Sequence, residues 1–515
     1  MTAGIPTDQR IALIRRYVGA LHDLGQISLG EVALREHLRV DMTDFWAASP
    51  LRESSPWHSR LFACLDRLCG SEPERSTELQ AHRRRARLRA RTVLHFALSF
   101  VSSLKNRAGG LEGEILFVVF MSESSSIVSD REILRRYFGG LPEHLESIGL
   151  RPAVLFLPTD SPIARMTQGE RRTHTKMHRT LSAEAITCSI SPRNVWRALR
   201  VWIQLQRQAP SQREIGAALP SDGDLAQLYP LWQEELDQSV CGTSSARNAL
   251  LHEGFFSALR RAQGIQLIIY PFEGQGWEAC LENSARRCGI PTIAYLHTIM
   301  KPWDVRAHTS LREAPPQRLA LHGVHDQREL SPIATPCVSV EALRYAYLRE
   351  HREARARSPQ SELLVVLGSD CENSFQQYSE LMSEIAAQAR PWEIAVKSHP
   401  QCTQLPEEGS RTRVVTGSLN EALRQCRAVF LCGTAAPLDS YLFGLPTAAL
   451  SEKSGYSMNP LQPNDAYFVG NNVAEVVLWL DSVMQREFSQ PDATPYFDLS
   501  EGFEKWTKAI RSVIS

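Results

Sequence analysis

Short runs of consecutive apolar residues alternate with helical patterns along most of this chain. The run at 115–121 leads into a helical pattern that reaches Tyr137-Phe138, and a second apolar run follows at 153–157. A strand that is apolar at every position is buried on both faces, which is typical of parallel sheets covered by helices. The alternation therefore predicts an α/β fold with parallel sheets and helical crossovers.

This alternation occurs in two blocks. In the first block, further strands at 265–270 and 292–296 enclose a helix at 277–288, and the pair Pro315-Pro316 then indicates a linker. The strands predicted for the second block are 318–322, 363–367, 393–397, 413–416, 428–432 and 447–450.

The length of 515 residues accommodates both blocks and a further helical region. We predict a helical N-terminal extension (1–108) followed by two Rossmann-like parallel-sheet domains (109–316 and 317–515) that face a cleft. A last helix at 503–515 is expected to pack back across the join between the domains.

The composition restricts partners and compartment. Lys+Arg and Asp+Glu both number 57, so the chain lacks the excess positive charge of a dedicated nucleic-acid binder. The 11 cysteines form no C-x-x-C pair, which predicts reduced thiols in a cytosolic protein. No signal peptide and no run of the ~20 apolar residues that span a bilayer is recognisable. We expect a cytoplasmic protein that does not bind nucleic acid.

Residues 83–104 combine a basic block with an apolar one. The arginine-rich stretch 83–91 runs directly into the mostly apolar stretch 93–101. Such a segment can lie in the interface of the inner membrane and attract anionic headgroups. The alternative is a solvated helix face that leads into a core helix.

Two loops of the second block carry groups that suit a phosphate, because ligands of open α/β sheets bind beyond the carboxyl ends of the strands. Lys397-Ser398-His399-Pro400 closes one strand, and His399 can stabilise or protonate a departing nucleotide. Gly433 and Thr434 follow another strand and open a helix, whose N–H groups attract phosphate. The alternatives are a turn histidine satisfied by the backbone and a plain strand-to-helix turn.

A third loop of this block, Gly368-Ser369-Asp370, would lie at the same edge near a base or sugar, or would only cap a helix. The predicted donor-binding residues are Gly368, Ser369, Asp370, Lys397, Pro400, Gly433, Thr434 and Asp439.

The first block supplies two candidates for a catalytic base. Glu273 follows a strand, and its carboxylate can accept the proton of an attacking hydroxyl; the alternative is a charge that favours the helix dipole. His297 ends the next strand, with a buried structural histidine as the alternative. The acceptor is expected at Ser124, Ser125, Gly274, Trp277 and Glu278.

Several familiar motifs are missing from the sequence. It contains no G-x-x-x-x-G-K-[ST], no H-E-x-x-H and no G-x-S-x-G. No D-x-D follows a predicted strand, so an obvious metal site of that kind is also lacking, and we predict a reaction that needs no metal and no cofactor besides its nucleotide-sugar substrate.

Two Rossmann-like halves with Lys397-Ser398-His399-Pro400 and Gly433-Thr434 in the second resemble GT-B glycosyltransferases. More narrowly, they are similar to bacterial surface-carbohydrate enzymes with an HP motif, which include sialyltransferase-like enzymes, Kdo transferases and teichoic-acid-type polymerases. The stretches 272–278 and 342–345 also resemble a family of surface carbohydrate biosynthesis proteins.

This resemblance implies roles for single residues. His399 would contact the donor phosphate together with Thr434, and Glu273-Gly274 would hold the base, although Phe272 stands where the first acid of that motif would be. His297 with Lys301 resembles the base of teichoic-type enzymes instead.

We therefore expect an inverting, metal-independent glycosyltransferase. Its first-choice donor is a CMP-activated nonulosonic or Kdo-like acid, and its acceptor is a bacterial surface glycan or protein. The alternatives are a CDP-polyol phosphotransferase, a UDP-sugar enzyme of the same fold (an epimerase included), and a non-catalytic scaffold of a glycan assembly complex.

Overall fold

The structure is a computed structural model. It describes residues 7–41, 43–49, 59–69, 78–104, 106, 109–121, 129–158, 181–301, 304–305, 309–330, 334–348, 362–368, 371–399, 406–432, 437–451, 459, 461, 463–484, 486, 488–489 and 491–514.

Helices occur along the whole length of the described chain. The α-helices are α1 (Thr7–Gln26), α2 (Leu34–His37), α3 (Ser59–Leu68), α4 (Glu78–Ser103), α5 (Asp130–Phe138), α6 (Leu141–Ser147), α7 (Pro192–Gln208), α8 (Gln212–Ala218), α9 (Gly223–Val240), α10 (Thr243–Arg261), α11 (Gly276–Cys288), α12 (Ser310–Glu313), α13 (Val324–Glu329), α14 (Cys371–Ala387), α15 (Leu419–Gln425), α16 (Pro437–Leu442), α17 (Val473–Val483) and α18 (Glu504–Ile514). Two 3₁₀ helices lie at Ile186–Ser189 and Leu343–Leu348.

The strands form two small hairpin-like pairs and two large sheets. They are β1 (Ser28–Leu29), β2 (Val32–Ala33), β3 (Arg39–Val40), β4 (Thr43–Asp44), β5 (Ile115–Met121), β6 (Pro152–Pro158), β7 (Ser182–Ala185), β8 (Leu267–Phe272), β9 (Thr292–Leu296), β10 (Arg318–Leu321), β11 (Cys337–Ser339), β12 (Glu362–Leu367), β13 (Glu393–Lys397), β14 (Thr412–Val414), β15 (Ala428–Cys432), β16 (Thr447–Leu450) and β17 (Tyr467–Gly470).

The first large sheet has seven strands in the order β11-β10-β9-β8-β5-β6-β7, and all neighbours are parallel. Our sequence prediction missed β7 and β11, which are short and only partly buried. It also assigned 318–322 to the second block, whereas Ala320 of β10 pairs with Tyr295 of β9 in the first sheet. The pair Pro315-Pro316 therefore lies in a connection within this sheet, because proline punctuates any loop and not only an interdomain linker.

The second large sheet has six parallel strands in the order β14-β13-β12-β15-β16-β17. Every residue of β8, β9, β12 and β15 is buried, as expected for central strands covered by helices on both faces. The predicted fold class, two Rossmann-like parallel sheets with a helical N-terminal region in a GT-B-like arrangement, is confirmed. The exact domain boundaries stay a prediction.

The N-terminal helices do not form an isolated extension. Their apolar side chains share one core with those of α7 and α9, and this core includes Leu21, Trp46, Trp202 and Trp232. The helical region is therefore built from two separate parts of the chain, which close on each other and lie beside the first sheet.

The chain crosses between the two sheets at neighbouring places. In the 3₁₀ helix Leu343–Leu348, Leu343 packs in a core of the first sheet and Tyr345 in a core of the second. On the return path, Phe497 stacks on Tyr345 with ring centroids 3.8 Å apart. Trp506 of α18 then packs on the first sheet and donates its indole N–H to the carbonyl oxygen of Glu341 at 2.9 Å. The final helix thus packs back across the join.

Candidate functional site

Each large sheet has a switch point where successive connections leave in opposite directions, and this is where ligands of open α/β sheets bind. In the first sheet it lies between β5 and β8, and in the second between β12 and β15. Glu273 directly follows β8. Gly368 follows β12, and its N–H donates to the carbonyl oxygen of Cys432 at the end of β15 (2.9 Å). The ends of β8, β12 and β15, which were chosen from the sequence, therefore lie at switch points, whereas those of β9 and β13 lie one strand away.

Several predicted site residues cannot be placed. Those that lie outside the described residues are Ser124, Ser125, Ser369, Asp370, Pro400, Gly433 and Thr434. Their assignments stay predictions.

The loop after β8 is held by a carboxylate of the following helix. Glu278 accepts the backbone N–H groups of Glu273 (2.8 Å) and Gly274 (3.0 Å). Gly274 has φ +75°, a left-handed conformation that suits glycine. The amide of Gln275 donates to Oε2 of Glu273 at 2.9 Å and thereby orients this carboxylate.

Two residues predicted to contact the acceptor have a different position. Trp277 is 2% exposed and donates its indole N–H to the side-chain oxygen of Gln275 at 3.0 Å. Glu278 is 3% exposed, and burial raises the pKa of its carboxyl well above the ordinary value. Because both side chains are enclosed and bonded to the loop, they position Gln275 and Glu273 rather than present themselves to a ligand.

Arg344 lies in the 3₁₀ helix at the join, and it was not among the predicted site residues. Its guanidinium donates to the carbonyl oxygen of His297 at 3.4 Å. Burial lowers the pKa of Arg344, but the attraction of Tyr345, Asp439 and Glu273 outweighs burial and leaves the pKa raised. The carboxylates of Glu273 and Asp439, one from each lobe, therefore act on one cation, although among the described residues no ion pair closes on Arg344.

Asp439 was predicted to bind the donor and lies at the join. The Tyr347 hydroxyl donates a hydrogen bond to its carboxylate. Burial raises the pKa of Asp439, while the bond from Tyr347 and the charge of Arg344 oppose that rise. The 3₁₀ helix of the first lobe thus contacts the start of α16 in the second.

The two candidate bases are neighbours. The rings of Tyr137 and His297 lie 5.1 Å apart, and His297 is 8% exposed. Burial raises the pKa of Tyr137, and the negative charge of Glu273 raises it further. Tyr137 therefore contacts His297 and lies within the electrostatic influence of Glu273, and Arg344 binds the backbone of His297.

We call these residues the interlobe cluster: Tyr137, Glu273, His297, Arg344, Tyr347 and Asp439. Arg344 remains exposed although burial is the largest influence on its pKa. We call the solvent-open space beside this side chain the recess. Glu273 and Asp439, whose charges act on Arg344, are half-buried.

Lys397 and His399 end the strand next to β12. Lys397 pairs in register with Val366. Lys397 and the following His399 therefore lie at the same carboxyl edge of the sheet as Gly368. Both side chains are half-buried, and desolvation lowers the pKa of Lys397 and of His399. The Lys397 ammonium donates to the carbonyl oxygen of Val415 at 3.5 Å, and a partly desolvated ammonium of this kind suits a phosphate. The helix that follows Pro437 is only 6 residues long, so we no longer count its dipole among the stabilising groups.

No group of three or more His, Cys, Asp and Glu side chains among the described residues has the arrangement of a metal site. Metal independence stays a prediction.

Arg344, Tyr137 and Tyr347 were missed by sequence reasoning. The sequence around Arg344 reads Leu343-Arg344-Tyr345-Ala346-Tyr347, just after an edge strand. An arginine followed by two tyrosines just after an edge strand, in the stretch 342–345 that also carries the family resemblance, is the signal that could have identified it.

Comparison with known proteins gives structural similarity only. No protein-family model matches the chain, and no curated protein matches its sequence. Among solved structures, the chain is similar to UDP-GlcNAc 2-epimerase of Methanocaldococcus jannaschii in complex with UDP-GlcNAc and UDP, with 8% identity and a TM-score of 0.42 over 77% of this chain and 99% of that one.

Two further solved structures show similar values. The glycosyltransferase SnogD from Streptomyces nogalater matches with 11% identity and a TM-score of 0.34, covering 73% of this chain and 92% of that one. Anabaena Alr3699/HepE in complex with UDP and glucose matches with 13% identity and a TM-score of 0.38, covering 78% and 100%. At these values, any role of a residue in this chain has to be argued from its own contacts.

Proposed function

We propose that this protein is a nucleotide-sugar-dependent glycosyltransferase whose reaction takes place in the recess at the interlobe cluster. One observation carries the proposal: within one 3₁₀ helix at the join, Arg344 donates to the carbonyl oxygen of His297 in the first lobe, and Tyr347 donates to the carboxylate of Asp439 in the second. Glycosyl transfer needs a proton acceptor on one side of the sugar and groups that stabilise a leaving phosphate on the other. The two lobes supply these groups separately.

Glu273 is the proposed base. Its Oε2 is oriented by Gln275, and its half-buried side chain is open to the recess, whereas His297 is almost fully enclosed. The acceptor hydroxyl gives its proton to the Glu273 carboxylate while its oxygen forms a bond to the anomeric carbon. The bond from that carbon to the donor phosphate breaks, and its electron pair leaves with the nucleotide. Attack opposite the leaving group inverts the anomeric configuration.

Lys397 and His399 are proposed to stabilise the departing phosphate. Both residues lie at the carboxyl edge of the second sheet. Desolvation strengthens the attraction of the Lys397 ammonium for an anion. The lowered pKa of His399 favours its neutral imidazole, which can donate an N–H hydrogen bond to the phosphate. We expect Gly433 and Thr434 to complete this phosphate site, as the motif resemblance implies.

Arg344 distinguishes between donor classes. A guanidinium binds a carboxylate through paired hydrogen bonds, and a CMP-activated nonulosonic or Kdo-like acid carries such a carboxylate on the sugar. A UDP-hexose lacks it. We keep the CMP-activated acid as the first choice of donor, and the UDP-sugar enzyme as the alternative that the same two-lobed recess accommodates.

The first experiment identifies the nucleotide. Thermal unfolding is measured with CMP, CDP, UDP, dTDP and GDP; a ligand at 100 times its dissociation constant stabilises by about 2.7 kcal/mol. Stabilisation by CMP supports the first choice, and stabilisation by UDP supports the alternative. CDP stabilisation followed by turnover of CDP-glycerol would indicate a polyol phosphotransferase. If no nucleotide shifts the unfolding temperature, the protein is better explained as a non-catalytic scaffold.

The second experiment tests the base with the sugar nucleotide so identified. Glu273→Gln is expected to lower kcat by about 10²- to 10⁴-fold, as loss of a general base does, with the nucleotide-induced thermal shift unchanged. Glu407→Gln, an exposed acid of the second lobe, is the matched control. Normal turnover of the Glu273 variant, with a severe loss in His297→Asn, would transfer the assignment to His297.

The third experiment tests the phosphate site. His399→Ala is expected to lower turnover severely with little loss of fold stability. Near-normal turnover of this variant would remove His399 from the mechanism.

A further inference from the structure

Helix α4 leaves a row of large apolar side chains in contact with solvent. Those at its C-terminal half and just beyond it are Val93 (54% exposed), Leu94 (59%), Leu98 (46%), Phe100 (42%), Val101 (60%) and Leu104 (63%). Single exposed apolar residues are ordinary, but a group of this size on one helix marks an interaction surface.

This apolar row is a face that the fold does not use. The opposite side of the helix is buried through Thr92, His95, Phe96 and Ser99. Leu94, Leu98 and Val101 follow the spacing i, i+4, i+7 and so lie on one outward stripe. The alternative interpretation of this segment was a solvated helix face that leads into a core helix. In the structure, one side of α4 packs on the core, and its other side keeps apolar residues exposed to solvent.

The N-terminal half of the same helix presents arginines. Arg83, Arg87, Arg89 and Arg91 are exposed, and no acidic residue occurs between 83 and 104. The intervening Arg84 and Arg85 have a different role, because both bind the fully buried carboxylate of Asp237 and so fix α4 to α9. The exposed face of α4 is thus cationic at one end and apolar at the other.

Helix α7 lies antiparallel beside α4 and adds exposed arginines along its length, namely Arg193, Arg197, Arg200 and Arg207. Arg89 donates to the side chain of Gln206 at 3.0 Å, and the rings of Phe96 and Trp202 lie 5.8 Å apart. Because position in α7 runs backwards along α4, Arg207 lies at the cationic end. Trp196, which is 58% exposed, lies at the apolar end.

We propose that α4 and α7 form a docking surface for an anionic lipid bilayer. Arginines pair with lipid phosphates, apolar side chains enter the boundary of the acyl chains, and tryptophan favours the interface between the two. A protein partner of matching surface would need acidic and apolar zones in the same order, whereas every anionic bilayer presents them. None of the helices in the described part of the chain is long and apolar enough to cross a membrane, so the surface would lie on the bilayer.

The test is co-sedimentation of the full chain with vesicles. Phosphatidylcholine vesicles with 30% phosphatidylglycerol are compared with pure phosphatidylcholine at low and high salt. Binding is expected only to the anionic vesicles and is expected to weaken with salt. Arg87→Gln/Arg91→Gln should weaken it by about fivefold per arginine. Leu94→Gln/Leu98→Gln/Val101→Gln should weaken it by about tenfold or more.

The matched control is Leu478→Gln/Arg511→Gln, which removes an exposed apolar residue and an exposed arginine from other helices and should bind like the parent. Equal binding by all variants, or no binding to anionic vesicles, overturns the proposal. So does a concentration-dependent dimer that the α4 variants abolish without vesicle binding, since the face would then join two copies of the chain. Thermal unfolding of each variant checks that the fold is intact.

Discussion

Glu282 is a carboxylic acid enclosed in the first lobe, and it offers a direct test of the packing beneath the recess. It lies on α11, is 3% exposed, and accepts hydrogen bonds from the hydroxyls of Tyr270 (2.8 Å) and Thr292 (3.1 Å). Burial raises its pKa from 4.5 to about 7, although both hydroxyls oppose that rise. We predict that Glu282→Gln removes a loss of stability that the parent protein shows as pH rises.

The magnitude follows from proton linkage. A carboxyl whose folded pKa is raised favours the folded state below its unfolded pKa, and this contribution is lost as pH rises through the folded pKa. For Glu282 the window is therefore about pH 4.5 to 7. At 1.36 kcal/mol per pKa unit, the parent loses about 3 kcal/mol across this window. Glutamine has the same shape, does not ionise, and can still accept from Tyr270.

The assay is urea-induced unfolding at pH 5, 6, 7 and 8, monitored by circular dichroism. The difference in unfolding free energy between Glu282→Gln and the parent should shift by about 2.5 kcal/mol in favour of the variant from pH 5 to pH 8. Other titrating groups act on both proteins alike and cancel. The exposed Glu407→Gln should show no such shift. Parallel pH profiles for Glu282→Gln and the parent would refute the burial of an ionisable carboxyl at this place.

Three further predictions concern stability. Burial lowers the pKa of His252 to about 4, and Arg287 adds to the effect, so the neutral imidazole stabilises the fold fully above pH 6.5 and this contribution is lost as pH falls towards 4. Compared with its stability relative to the parent at neutral pH, His252→Leu should gain about 2 kcal/mol at pH 5. Equal loss of stability in acid for both proteins would contradict this. Asp237→Ala leaves the guanidinium groups of two arginines without their buried partner and should cost about 3 kcal/mol in urea unfolding, a result that a change below 1 kcal/mol would exclude. Glu341→Ala removes the acceptor for two backbone N–H groups at the start of α18. The variant should lower the free energy of unfolding of that helix by about 2–3 kcal/mol, measured as faster hydrogen exchange. Unchanged exchange would show that the apolar face alone holds the helix.

The sequence was sufficient for the strands that are buried on both faces. Strands β9, β13, β15 and β16 have the predicted limits, because a continuous apolar run bounded by turn residues has few other solutions. Short edge strands such as β7 carry no such run and were missed. The sequence did not show that β10 belongs to the first sheet, because the partners of a strand depend on contacts between distant parts of the chain.

The sequence predicted where several candidate site residues lie along the strands, but it did not predict which residues they interact with. Glu273 and Asp439 were chosen because they follow strands, and the structure confirms that they lie near switch points. The stretch that contains Arg344 was singled out for its resemblance, but the influence of both carboxylates on Arg344 could not be predicted, because it depends on how the two lobes meet. The burial of Trp277 could not be predicted from the sequence either, because a tryptophan after a glycine-rich loop can equally contact a ligand or pack in the core.

The paired crossings between the lobes limit how the lobes can move. Tyr345 on the outgoing path stacks on Phe497 of the returning path, so both connections pass through one small region. Two connections at the same place act as a hinge: they permit rotation about a nearby axis and resist sliding of one sheet along the other. Arg344 sits next to this axis. Opening and closing would therefore change its distances to Glu273 and Asp439 far less than the width of the outer mouth.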